Sequence, residues 1–172
     1  MYRLRWQAYE DALSSHGLST EYLAESGYQC ERAYRELTEV LTMHPEITAI
    51  CSISDIVTPA AIRAIHDLGK IPGKDVHIIS FDGMPSMHYC IPSISTFIQP
   101  RDEMACYIYD LLLGLISDER QHQHITFSDT FFHRESLNDF LLKSEYCHIT
   151  LIDYKKAGRK ENFSFSSLPA FL

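Results

Sequence analysis

Two apolar, β-branched runs in this chain each close on an aspartate, and those carboxylates are where the sequence is best placed to do chemistry. The first run reads Ile47-Thr-Ala-Ile-Cys-Ser-Ile-Ser-Asp55, the second Asp75-Val-His-Ile-Ile-Ser-Phe-Asp-Gly83. An Ala-rich helical stretch joins them, so the spacing predicts a βαβ unit with parallel strands. In an open α/β sheet, ligands bind in the crevice beyond the carboxyl ends of the strands. A carboxylate delivered there, as at Asp82, can accept two hydrogen bonds from adjacent hydroxyls of a small polar molecule. The plain alternative is an Asp-Gly turn residue.

Other chemistries have less support. There is no Ser/His/Asp set, no phosphate-cradling glycine loop and no clustered carboxylate pair, so an enzyme is the least favoured class. His122-x-His124 has two potential metal ligands but no third nearby, which favours a solvated pair. No cofactor is expected. The five cysteines (Cys30, Cys51, Cys90, Cys106, Cys147) are odd in number and form no CxxC pair, as expected of reduced thiols in a cytoplasmic protein. A net charge of -8 and a pI near 5.5 oppose a sequence-independent grip on nucleic acid. No apolar run reaches the roughly 18 residues of a membrane span, and the N-terminus has no apolar signal region.

Periodicity supplies the elements that must position the two aspartates. Tyr2, Trp6, Tyr9 and Leu13 form one helical stripe, which Gly17 stops. After Glu25-Ser26-Gly27 a second helical pattern puts Ala33, Leu37, Val40 and Leu41 on one face and ends before Pro45. Residues 47–52 and 76–81 are short and continuously apolar, as strands buried on both faces are. Between them Pro59 opens a helix with Ala60, Ala61, Ala64, Ile65 and Leu68 inward, closed by Gly69. Asp55 is expected to cap that helix.

Residues 94–98 read as a short extended segment. Residues 101–116 read as a helix with Met104, Ile108, Leu111, Leu112 and Leu115 on one side, and 125–134 as extended. Beyond Ser136 the pattern breaks down, leaving one helical turn at 137–142 and a short strand at 149–152 as expectations. The fold class is α/β, a three-layer Rossmann-like parallel sheet.

With these landmarks in order, the chain resembles the effector-binding core of the lactose-repressor (LacI/GalR) family of transcriptional regulators, a core similar to periplasmic sugar-binding proteins. The matching residues are Arg3-Leu-Arg-x-x-Ala-Tyr-x-x-Ala-Leu13, Glu25-Ser-Gly-Tyr28, and Thr48-Ala-Ile50 through Ser54-Asp55. They continue with Ala61-Ile-Arg-Ala-Ile-His-Asp-Leu-Gly69, Pro72-Gly-x-Asp-Val76, Ile79-Ser-Phe-Asp-Gly83, Ile91-Pro-x-Ile-x-Thr96, Gln99 and Arg134-Glu-Ser136.

The resemblance implies that residues 1–136 are a partial periplasmic-binding-protein-like domain, mostly its C-terminal subdomain. The helix at 100–117 normally belongs to the other subdomain, and 137–172 is an atypical C-terminal extension. No counterpart of the family's helix-turn-helix headpiece or N-terminal core subdomain is expected, so a truncated core unable to bind DNA alone is implied. The strand usual between Gly17 and Tyr22 has only a few residues available.

A binding set is implied as well. Asp82 takes the place of a ligand-binding aspartate. Arg5 aligns with a ligand-contacting arginine, whose fork suits hydroxyls or carboxylates; Arg3 competes for the role. Tyr22 aligns with an aromatic that stacks on the apolar face of a sugar, or else it packs. Ser54 replaces an asparagine, offering one hydroxyl in place of a side-by-side donor and acceptor. Gln99 matches a glutamine at the crossover between subdomains, which contacts ligand or satisfies strand-edge backbone. The implied partners are a small carbohydrate or similar polar effector and a second copy in a homodimer, with DNA reached only through an absent headpiece and no membrane. Two rivals are a transport-type sugar-binding protein and a ligand-free interaction fragment. The fragment would pair through the helix after Pro59 and the segment near Cys90-Ile-Pro92.

Overall fold

The computed structural model describes residues 2–17, 22–121, 123–137 and 149–153. The chain enters as helix α1 (Tyr2–Ser15), then strand β1 (Leu23–Glu25), helix α2 (Cys30–Met43), strand β2 (Ala49–Ser52), helix α3 (Thr58–Asp67) and strand β3 (His77–Asp82). Strand β4 (Ser95–Ile98), helix α4 (Arg101–Ile116), strand β5 (Thr130–Phe132) and strand β6 (Ile149–Asp153) follow. The strands make one sheet in the order β1-β6-β2-β3-β4-β5. Every neighbouring pair is parallel except β4 and β5.

The predicted βαβ unit is β2-α3-β3, with Ile50 opposite Ile78 across the ladder. Its strands are sealed on one face by α2 and α3, where Ile50, Ser52, Ile78 and Ser80 are buried. Leu37 and Leu41 from α2, Ala61, Ala64 and Ile65 from α3, and Ile50, Ile78 and Ile94 are all buried in one cluster. Burying each of the larger of these side chains contributes about 1.5–3 kcal/mol. That single packed face holds the strand ends at fixed heights.

Several expectations need correction. Asp55 does not cap α3, whose N-cap position is Val57, with no side-chain cap; its carboxylate is used elsewhere. On α4, Ile108 and Leu112 are exposed. Met104, Leu111 and Leu115 are half-buried as expected, on the same side as Tyr107 and Gly114, against which Phe127 and Arg120 from the following segment lie. Within 125–134 only β5 is strand, antiparallel to β4. Residues 18–21 and 138–148 lie outside the described residues, and with them most of the turn expected at 137–142. β1 starts at Leu23, directly after Tyr22. β6 pairs inside the same sheet as the rest, so a boundary at 136 does not separate 149–153 from it.

Candidate functional site

In a parallel sheet the residues that follow each strand emerge together at one edge. Beyond β2 the chain runs Ile53-Ser54-Asp55 and crosses β3, where Asp55 N–H donates to Phe81 O at 2.8 Å. β3 ends on Asp82 and Gly83 follows it, both with left-handed backbone (φ 105° and 70°). A Cβ on Gly83 would lie 2.6 Å from Ile98 Cγ1 and 2.7 Å from Ile98 Cα, so the turn needs glycine to pass against β4. β4 is followed by Gln99, and α1 brings in Arg5.

These pieces meet on one carboxylate. Asp82 Oδ1 accepts from Arg5 Nη2 at 3.3 Å and from Gln99 Nε2 at 3.5 Å, while Oδ2 accepts from Ser54 Oγ at 2.9 Å. Arg5 is itself held, since Nη1 donates to Ile53 O and the guanidinium lies 4.9 Å above the Phe81 ring. Phe81 in turn stacks on Phe97 at 4.8 Å. Side-chain exposure is 31% for Asp82 and 16% for Arg5, so part of the pair remains open to a ligand. The contacts from Arg5 Nη2 and Gln99 are long for hydrogen bonds. Incoming hydroxyls at shorter range can replace them at small cost.

A buried polar layer supports this edge. Asp55, 1% exposed, accepts from Ser80 Oγ and from Thr96 Oγ1 on Oδ1, and from Met84 N–H on Oδ2. Thr58 Oγ1 lies 3.0 Å from Ser52 Oγ and 2.9 Å from Ser80 Oγ. Burial pushes the Asp55 carboxyl above its ordinary value; hydrogen bonds from Ser80, Met84 N–H and Thr96 pull the other way, and the nearby Asp82 charge adds to the rise. The layer ties the ends of β2, β3 and β4 to the turn that carries Asp82. Arg101 Nη2 donates to Gly83 O at 2.8 Å and clamps the turn from the α4 side.

Of the five residues expected to bind, the structure brings together Asp82, Arg5, Ser54 and Gln99. Tyr22 is a correction. It precedes β1, at the amino edge of a parallel sheet, whereas Ser54 and Asp82 follow their strands at the carboxyl edge. Its hydroxyl donates to Glu46 Oε1 at 2.9 Å and its ring packs 4.5 Å from His44, both in the segment before β2. Asp55, Phe81 and Arg101 were missed as parts of the site. The signal for the buried layer was present in hydroxyls set among apolar strand residues: Ser52, Ser80 and Thr96. His122 lies outside the described residues, and no group of three potential metal ligands occurs among those described.

Polar side chains gathered beyond the carboxyl ends of parallel strands occupy the edge at which open α/β sheets hold ligands. The family model for the periplasmic binding protein-like domain matches residues 1–137. Among curated relatives, the HTH-type transcriptional regulator MalR of Clostridium butyricum is 32% identical over 134 residues, 77% of this chain and 40% of that protein. The ribose operon repressor of Halalkalibacterium halodurans is 28% identical over 107 residues, 62% of this chain and 30% of that protein.

Among solved structures, the LacI family regulator from Enterococcus faecium with bound ribose superposes with a TM-score of 0.71 at 21% identity, covering 79% of this chain and 51% of that one. A LacI family regulatory protein from Chloroflexus aggregans gives 0.67 at 27% identity, covering 78% and 50%. The chain belongs to the periplasmic-binding-protein-like domain family, and the relatives and solved structures it matches are transcriptional regulators, several of the LacI family. It spans 40% of the MalR relative's length and about half of these solved chains.

Proposed function

We propose that this chain is the effector-sensing part of a LacI-type transcriptional repressor, and that it takes a small carbohydrate or similar polar metabolite on the Asp82 cluster. The observation that carries the reading is the convergence of Arg5, Ser54 and Gln99 on one half-exposed carboxylate at the carboxyl edge. Two adjacent hydroxyls of a sugar donate to the two Asp82 oxygens. Arg5, already anchored on Ile53 O and Phe81, turns Nη2 to a ligand oxygen without losing its position. Ser54 and Gln99 supply one donor each, and both also accept. The site works by binding, and its relatives are regulators rather than enzymes.

Regulation requires that the effector bind two states of the regulator with different affinity, because a ligand indifferent to the two shifts nothing. A net charge of -8 over these 172 residues does not favour operator contact by this part of the regulator. Tyr89 and Ile91, 81% and 89% exposed beside the turn at Pro85–Tyr89, favour pairing with a second copy through this surface. They also keep the interaction-fragment reading in play.

Thermal unfolding of the chain with lactose, cellobiose, ribose and a wider panel of simple sugars tests the proposal. A sugar at about 100 times its dissociation constant should add roughly 2.7 kcal/mol. A cooperative transition moved by none of them would refute the carbohydrate reading.

A further inference from the structure

β6 is the last strand in sequence, yet it lies inside the sheet between β1 and β2. It pairs parallel on both sides. Leu23, Ala24 and Glu25 register with Leu151, Ile152 and Asp153, and Ala49, Ile50, Cys51 and Ser52 with Ile149, Thr150, Leu151 and Ile152. β6 also lies beyond residue 137, where the family match ends. Without it, β1 has no strand neighbour among the described residues, and β2 loses one of its two ladders.

The backbone cost of that loss is large. Ala49, Ile50 and Ser52 are buried, and buried backbone N–H and C=O groups must be paired. The path of the chain makes filling the slot simple. β5 runs antiparallel to β4 and so returns the chain to the amino edge. There Ser136 Oγ accepts from Ser95 N–H at 2.8 Å and donates to Ile78 O at 2.6 Å. Ile149 opens β6 at the same edge, beside Ala49. From β3 the lateral step to β6 is two strand spacings, about 10 Å. The intervening residues 138–148 can reach over about 35 Å. That length is enough for the chain to enter the slot as a parallel strand.

We propose that the slot between β1 and β2 is a parallel strand-acceptor site, and that Ile149-Thr-Leu-Ile-Asp153 of the same chain is the donor strand that fills it in cis. The slot takes an extended, β-branched, apolar peptide through main-chain bonds on both of its edges, a two-sided form of β-augmentation. Its filling sets the end of β2, because Ser52, in register with Ile152, donates from Oγ to Ser54 O at 2.9 Å.

Hydrogen exchange on the full chain without any sugar tests this independently of the effector reading. The amides of 149–153 should exchange within about tenfold of those of 49–52, as one cooperative unit. In the full chain carrying Leu151→Pro, which deletes an N–H from the ladder, protection of 23–25 and 49–52 should fall by about tenfold or more. A synthetic peptide of residues 148–154 added in trans should restore it, and a scrambled peptide should not. Exchange of 149–153 at free-peptide rates while 49–52 stays protected would overturn the proposal. This reading needs no variant, so it decides the matter even if Leu151→Pro fails to fold. Protection of 149–153 that vanished on dilution by about a hundredfold would overturn the assignment in cis.

Discussion

Replacing Asp82 by Asn keeps the shape of the side chain and removes its charge, and its effect should fall on binding far more than on folding. Asp82 accepts three donors, one of them cationic, and 31% of the side chain remains exposed toward the ligand side. Hydrogen bonds to a charged group contribute about 1.5–3 kcal/mol. At tenfold per 1.4 kcal/mol, losing the charged acceptor should weaken sugar affinity by about 10- to 150-fold. Folding should lose about 1 kcal/mol or less, because partly exposed ion pairs contribute little. Arg5 also keeps its contacts with Ile53 O and the Phe81 ring. For a chain of this size that is a fall in Tm of about 2–4 °C. Isothermal calorimetry with the sugar found in the thermal screen gives the first quantity, and thermal unfolding of the free protein gives the second. The reverse pattern, affinity unchanged within about twofold with stability down by several kcal/mol, would make Asp82 a turn residue and refute the site.

Four further outcomes follow from the same geometry. Tyr22→Phe should leave sugar affinity unchanged and cost about 1 kcal/mol or less in urea unfolding, since it removes the bond to Glu46 at the far edge. Gly83→Ala should cost about 2–5 kcal/mol in chemical denaturation, combining the left-handed backbone with a close approach to the Ile98 backbone. Asp55 has its carboxyl pushed up by burial, so the native state favours the protonated form, and the stability this brings at low pH is lost as pH rises through the raised value. The stability of Asp55→Asn relative to the parent should therefore improve as pH is raised from 4 to 7, and a flat difference in Tm would refute it. His77 is buried and its ring is pushed below the ordinary histidine value chiefly by that burial. Its contribution to stability is present above about pH 6.5 and lost as pH falls below it; in Tm measured across pH, His77→Gln should flatten that slope.

Much of this site was legible because the rules that place it are local. A short apolar run that ends in a polar residue becomes a buried strand, and in a parallel sheet the residue after it must surface at the carboxyl edge. That alone puts Ser54, Asp82 and Gln99 on one side of the molecule. The inward faces of α2 and α3 follow from their 3.6-residue period, and Ala33, Leu37, Ala61, Ala64 and Ile65 are buried as that period requires. Arg5 was reached through resemblance, since nothing within its own helix shows that its guanidinium crosses to a carboxylate 77 residues away.

Tyr22 shows where resemblance failed. Its aromatic ring was right for stacking on a sugar, but its place before a strand assigns it to the amino edge. Asp55 shows a local rule overridden, because a carboxylate just ahead of a helix is ordinarily a cap. Here the hydroxyls of Ser80 and Thr96, on two other strands, and the amide of Met84 compete for it and win.

The sequence by itself determined most of the strands and helices, the inward faces of α2 and α3, and which residues stand at the ends of β2, β3 and β4. Strand order was left to the packed fold. β6 reads locally as a short strand, and no local property of 149–153 says that it belongs between β1 and β2. Its place depends on which buried backbone groups of distant strands would otherwise lack partners, and on an antiparallel β5 that brings the chain back to the edge from which the slot can be entered.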